Sequence, residues 1–283
     1  MALDHDLIGV ESPPHDRVWS AKDTMLYALG VGAGVEELAF TTEKRQRVLP
    51  TFAVLAAQAP AGRRLGDFDP ALLVHAEQAF ELHRELPAAG GVRTTSKVTG
   101  IYDKGSGALV TSEARAVDPE SGELVIISRS AAFIRGEGGF GGERGPRDEW
   151  TPPDRAPDHK VTCPTRPEQA LVYRLSGDFN PLHSDPEFAA RAGFDRPILH
   201  GLCTYGVTGR ALLHAVAGSD PGRFGAMSGR FTSPVFPGES LTVSIWVDGP
   251  AVLFRTAKDD GTVVIDRGRA VINPPRESVG GVR

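Results

Sequence analysis

The strongest constraint on this chain is that its plan is given twice. FDPALLVHAEQAFELHREL (68 to 86) leads through PAAGG into three strand-like segments, RTTSKVTGIYD, GALVTSEARAVD and ELVIISRSAAFIR. HGLCTYGVTGRALLHAVAG (200 to 218) leads through SDPGR into GRFTSPVFPGESLTVSIWVDG, AVLFRTAKDDG and TVVIDRGRAVI. Internal similarity on this scale marks a repeated supersecondary unit. In the first copy Asp69-Pro70 reads as N-cap and first helical residue. Leu72, Leu73, Ala76, Ala79, Phe80 and His83 recur at helical spacing, so a helix is expected over 68 to 86. The later segments alternate or are β-branched, and DKGSG, DPESGE, VDGP and KDDG are hairpin turns at matching places.

The expected fold class is therefore α+β, a tandem (double) hot-dog in which each repeat lays a long central helix on an antiparallel β-sheet. RGEGGFGGERGPRDEWTPPDRAPDHK, rich in Gly, Pro and charge, reads as a linker crossing the surface. The expected divisions are 1–135, a non-catalytic repeat; 136–160, the linker; and 161–283, the catalytic repeat. A shorter element precedes each long helix. The first is SAKDTMLYALGVGAG, with Ser20 or Asp23 as cap. The second is TRPEQALVYRLSGD, where Thr165 and Glu168 fit a capping box. Gly177 is a stop signal, which leaves Asp178 in a loop just past a helix end.

Composition narrows the partners. The 283 residues are 40% hydrophobic and 24% charged with a net charge of −5, ordinary for a chain that buries a core and without the basic stripe of a nucleic-acid binder. Cys163 and Cys203 lie 40 residues apart, which suggests neither a disulfide framework nor a zinc site; Cys203 reads as a small buried filler. MALDHDLIGVESPP has no signal-peptide character, no run of about 18 apolar residues occurs, and the terminal GGVR is not a peroxisomal address. A soluble, cytoplasmic protein with no membrane partner is expected.

YRLSGDFNPLHSDPEFAARAGFDRPILHGL (173 to 202) carries the chemistry. Pro181 disfavours the α conformation at Asn180 and bends the backbone, so Asp178 and His183 can converge on one point. Such a pair can hold a water, take its proton and return one to a neighbouring carbon. Asn180 would orient the loop or the water. Asp185-Pro186 starts a short helix closed by Gly193, and His200-Gly201 opens the long helix of the second copy. First-turn N–H groups lack internal partners and sit at the positive end of the dipole, so Gly201 N–H is the best oxyanion donor in the chain. Alone, an Asp, an Asn or an Asp-Pro is a turn or cap residue; together they read as a reaction centre. GVGAG and GEGGFGG fail as dinucleotide or phosphate loops, and no GxSxG or HExxH is present.

SGDFNPLHSDPEFA resembles the signature of the hydratase 2 family, the MaoC-like (R)-specific enoyl-CoA hydratases. YALGVGAG, LPTFAVL, LVHAEQ, DKGSG, FIRGEGGFGG, HGLCTYG and SPVFPGESL resemble blocks of its two-repeat, eukaryotic-type members. The resemblance implies Asp178 and His183 as the catalytic pair, with Asn180 between them and Gly201 as oxyanion donor. It implies His75, Ala76, Lys104, Phe179, Pro181, Leu182 and Phe231 as contacts of an acyl-CoA thioester, with Glu43 and His200 auxiliary. The implied reaction is reversible hydration of trans-2-enoyl-CoA to (3R)-3-hydroxyacyl-CoA without a metal or separate cofactor, CoA being part of the substrate. One departure stands out: His75-Ala76-Glu77-Gln78 replaces the family's His-Gly-Glu-Gln, which puts a methyl toward the ligand and predicts altered affinity rather than lost catalysis. YALGVGAG stands where the first copy would need its own catalytic loop, so one active site per chain is expected, with a homodimer as the modestly preferred assembly. The alternatives are a 3-hydroxyacyl-thioester dehydratase of fatty-acid synthesis, a hot-dog thioesterase and a non-catalytic acyl-CoA binder.

Overall fold

A computed structural model of the protein describes residues 3–59, 64–146 and 149–275; the terminal GGVR lies outside them. The first repeat contains β1 (His15–Trp19), α1 (Ala21–Gly30), α2 (Leu38–Thr41), α3 (Ala53–Ala56), β2 (Leu73–Leu82), β3 (Gly90–Asp103), β4 (Gly107–Val117) and β5 (Leu124–Arg135). The second contains β6 (His159–Pro164), α4 (Gln169–Tyr173), α5 (Pro186–Arg191), α6 (Gly201–Val216), β7 (Phe224–Phe231), β8 (Ser240–Asp248), β9 (Ala251–Lys258) and β10 (Val263–Ile272).

The strands form one antiparallel sheet in the order β1-β3-β4-β5-β2-β7-β10-β9-β8-β6. Each repeat supplies five neighbouring strands, arranged as mirror images about β2 and β7. Those two pair from Glu77↔Arg230 to Glu81↔Ala226, so the ladder runs unbroken across the join. The hairpins fall at DKGSG, DPESGE, VDGP and KDDG, as the turn residues predict.

The long helix expected over 68 to 86 does not form. Its start is a single 3-10 turn, Pro70–Leu72, and the rest is β2. Inside that strand Gln78 and Phe80 are buried while their neighbours are not, an alternation of period two. The register slips between His75 and Glu77, and the extra residue, Ala76, breaks the alternation in the sequence into something resembling helical spacing. Pairing with β5 on one side and β7 on the other overrides the helical preference of Ala, Glu, Gln and Leu. Among its described residues the first repeat thus lacks a long central helix. In its place are the 3-10 turn Pro50–Phe52 and the single turn of α3, all buried.

The second repeat keeps its helix. α6 is buried from Cys203 through Gly209 and again over Ala211–Leu213. Two interior glycines each cost helix stability of about 1 kcal/mol relative to alanine, yet contact requires them. A Cβ at Gly206 would overlap Val31, and one at Gly209 would overlap Thr51. Glu37 adds a polar tie: its carboxylate accepts from Arg210 Nη1 at 2.5 Å and His214 Nε2 at 2.6 Å, both on α6. Cys203 is free and buried, donating to Gly30 O at 3.3 Å, and Cys163 is likewise free and buried.

Two local expectations divide. Ser20 forms a full capping box with Asp23 at the start of α1. The Thr165/Glu168 box does not form: Thr165 Oγ1 donates to Glu239 O and accepts the Gly238 N–H, so the β7–β8 loop has taken its hydroxyl, and α4 starts without a side-chain cap. The linker has no regular structure between Arg135 and His159 among its described residues, but it is clasped to the sheet. Trp150 is buried, and its indole donates to Gly268 O.

Candidate active site

A left-handed glycine creates the loop. The 3-10 turn Arg174–Ser176 ends at Gly177, whose φ of 119° suits only a residue without a Cβ. Asp178 Oδ1 then accepts the Asn180 N–H at 3.1 Å, and Asn180 Oδ1 accepts the Leu182 N–H at 3.0 Å. These two Asx contacts fold the Pro181–His183 turn, so the Asn180 side chain shapes the loop itself. Asp185 caps α5 by accepting from Glu187 and Phe188, Gly193 closes it with φ 85°, and the chain returns to His200 as N-cap of α6.

His183 is buried, with Nδ1 2.9 Å from Ile198 O. A carbonyl only accepts, so Nδ1 carries the proton and Nε2 presents a lone pair. The His200 ring stacks on His183 at 3.8 Å between centroids, and its Nε2 donates to the backbone oxygen of Asp178 at 3.2 Å. His200 therefore ties the loop to the start of α6. Burial pushes the pKa of both imidazoles down, and for His200 the neighbouring His183 adds to the effect. Both are neutral at pH 7. The ligand atoms of Asp178, His183 and His200 lie within 4.8 Å of one another, so one water at about 2.8 Å from each could bridge the Asp178 carboxylate and an imidazole.

At the start of α6, no described group accepts from the Gly201 or Leu202 N–H. Gly201 has an ordinary φ, and a Cβ there would lie 3.4 Å from the Phe231 ring, in plain van der Waals contact. The backbone does not demand glycine; its absent side chain leaves open the approach to a free N–H. The first repeat reaches the same place through β2. His75 meets Phe231 edge-on at 5.0 Å and donates from Nε2 to Glu77 O across the bulged Ala76. Burial lowers the pKa of His75 against the opposing pull of its hydrogen bonds and of Asp178.

The other expected residues lie further out. Phe179 is 58% exposed and stacks beneath Arg174 at 4.9 Å. Pro181 is exposed and Leu182 half-buried. Lys104, in the β3–β4 turn, donates to Arg144 O. Glu43 stands in an exposed bend after α2 and makes no hydrogen bond or ion pair with a described residue. The Ile198 and Asp178 carbonyls, which set the two imidazole tautomers, were not anticipated: every residue has a carbonyl, and nothing in the sequence marks those two. Among the described residues, Asp178, His183 and His200 form the one group close enough to hold a metal ion.

Two family models match the chain, the MFE-2 hydratase 2 N-terminal domain over residues 18–136 and the MaoC like domain over 149–267. A Mycobacterium tuberculosis protein named 3-hydroxyacyl-thioester dehydratase Y is 50% identical, covering 95% of this chain and 98% of its own length. The chain belongs to the MaoC-like hydratase 2 family. Enoyl-CoA hydratase ChsH3 of the same organism is 44% identical over 88% of this chain and 91% of its own. The crystal structure of a MaoC-like dehydratase from Phytophthora capsici superposes with a TM-score of 0.85 at 34% identity, covering 96% of this chain and 98% of that one. Membership of the MaoC-like hydratase 2 family agrees with the double hot-dog of ten strands and with the site at the join of its two repeats.

Proposed function

We propose that the protein is a hydro-lyase of the hydratase 2 type, interconverting trans-2-enoyl-CoA and (3R)-3-hydroxyacyl-CoA. The observation that carries this is the placement of Asp178 and neutral His183 beside the unpartnered N–H groups at the start of α6. The thioester oxygen accepts from Gly201 N–H, which draws charge from the conjugated double bond. Asp178 and His183 hold the water; one takes its proton as oxygen adds to Cβ, and a proton is delivered to Cα. Asn180 keeps the loop in shape, while His75, Ala76, Phe231 and the 179 to 182 loop contact the thioester. The shortened helix of the first repeat makes that repeat the acyl-chain receptacle and leaves one active site per chain. This reading carries with it no metal or redox cofactor, a cytoplasmic location and a homodimer.

A hydration assay across crotonyl-, octenoyl- and longer trans-2-enoyl-CoA, with chiral analysis of the product, tests it. An (R)-3-hydroxyacyl product is expected; an (S) product, or no hydration at any length, would overturn it. A second reading, dehydration of 3-hydroxyacyl thioesters during synthesis, is favoured by the name of the 50% identical relative. Both readings use the same transition state, and rates on CoA against carrier-protein thioesters separate them.

A further inference from the structure

Asp103 has a role that its place in a hairpin turn does not require. It ends β3 and is buried to 8% exposure. Its carboxylate accepts three glycine N–H groups, Gly105 and Gly139 on Oδ1 and Gly141 on Oδ2, each at 2.8 Å. Only the first belongs to its own turn. The other two come from the glycine loop after β5, more than thirty residues away. The Asp103 N–H donates to Glu143 O in the same loop, and Gly136 N–H donates to Ser106 O. The approach is so close that a Cβ on Gly138 would overlap the Gly105 oxygen. These contacts hold the carboxyl of Asp103 below the usual carboxylate range, chiefly through Gly139 and Gly105. The Lys104 ammonium, on the next residue, is bound to Arg144 O of the clamped loop.

The hairpin lies at the end of the sheet where the site is. Gly107 pairs with Arg135, Ile134 with Leu73 at the start of β2, and Phe231 ends β7 beside it. Across the sheet, at roughly 4.8 Å per strand, Lys104 stands about two to three strands from His75. Along the strands His75 is level with Val110 while Lys104 lies beyond Gly107, a further offset of at least about 10 Å, so the two are on the order of 15–20 Å apart.

We propose that Asp103 is a positioning residue: it clamps the 136–145 loop onto the β3–β4 turn so that Lys104 is held to meet a phosphate of the CoA moiety. This rests on the proposed function, which makes a CoA thioester the substrate, and on the family resemblance, which implies Lys104 as one of its contacts. Because the clamp acts on the nucleotide end alone, it should be silent toward an acyl pantetheine thioester, which lacks the nucleotide. The test compares Asp103→Asn, Lys104→Ala and the double variant on trans-2-enoyl-CoA and on the matching S-pantetheine thioester. Asp103→Asn should raise KM for the CoA thioester about tenfold, the scale of one charge-assisted contact, with kcat little changed and the pantetheine kinetics unmoved. The double variant should match Lys104→Ala alone. An unchanged KM, an equal rise on both thioesters, or multiplying effects in the double variant would overturn the proposal. Should Asp103→Asn not fold, Gly138→Ala, which displaces the loop without touching Asp103, must give the same pattern or the clamp is refuted. Should the wild type hydrate neither thioester, the proposed function fails, and calorimetric Kd values for CoA and pantetheine decide the clamp by the same contrast.

Discussion

The two repeats have the same five strands in the same order but differ in what they do with the helix. In the second, α6 runs for 16 residues and begins, with free N–H groups, beside Asp178 and His183. In the first, the segment Pro50–Ala56 is a short buried stretch that begins inside the core and ends before it could present anything. Nor does a proline-bent loop follow α1 among the described residues of the first repeat; α1 ends at Gly30, which packs against Tyr173 of α4. Joining two copies in one chain relieves one copy of chemistry. The relieved copy still supplies half the continuous sheet, the bulged strand with His75, and the surface on which α6 lies.

The most damaging way to probe this asymmetry is at the loop found only once. Asp178→Asn is expected to lower kcat by roughly 10²–10⁴-fold while the melting temperature stays near that of the wild type, because Asp178 is exposed and its carboxylate makes one local hydrogen bond, the contact to His200 being through the backbone. Near-full turnover in that variant would remove the proposed chemistry from the second repeat. Two glycines of one helix sharpen the contrast. Gly201→Ala should cost on the order of 10²-fold in kcat or less with little change in Tm, since the added methyl meets only the Phe231 ring. Gly209→Ala should do the reverse, losing about 1–3 kcal/mol of stability through overlap with Thr51, with kcat retained in the folded fraction. If both variants moved the same quantity, the division of α6 into a working end and a docking face would be wrong.

Acid should weaken the join. His183 and His200 are buried and His75 is half-buried, and desolvation depresses the pKa of all three. Between those values and about 6.5 the unfolded chain binds more protons than the folded one. Stability is then full above about pH 6.5 and falls as pH drops below it, by up to about 1.4 kcal/mol per pH unit for each imidazole. Denaturant melts from pH 7.5 to 5 would show this; a flat profile would contradict it. The smallest effect belongs to the first repeat's contribution. Ala76→Gly should change KM a few-fold and leave kcat alone, because Ala76 sits in a bulge without positive φ and offers only its methyl.

Local chemistry was legible where it acts locally. Gly177, the Asn180-Pro181 bend, Asp185 and His200-Gly201 are where the sequence implied, since caps and turns need only their own neighbours. What the sequence hid is set by distant partners. β2 imitates a helix in sequence because its identity depends on β5 and β7 and because Ala76 disturbs its alternation. Thr165 lost its cap role to residues 238 and 239. Even the helix pairing was out of step by one element: the counterpart of α6 is the Pro50–Ala56 segment, too short and too uniformly apolar to show a helical period.

The pairing of β2 with β7 also bears on how the molecule could be divided. Severed in the linker, each half would expose a full-length edge strand, a template for unwanted pairing. Those edges are not interchangeable: the face of α6 with Gly206 and Gly209 is shaped for Val31 and Thr51, which only the other half carries. Two such fragments would have to seek each other rather than their own copies, and co-expressed they should assemble as an obligate heterodimer, each insoluble alone.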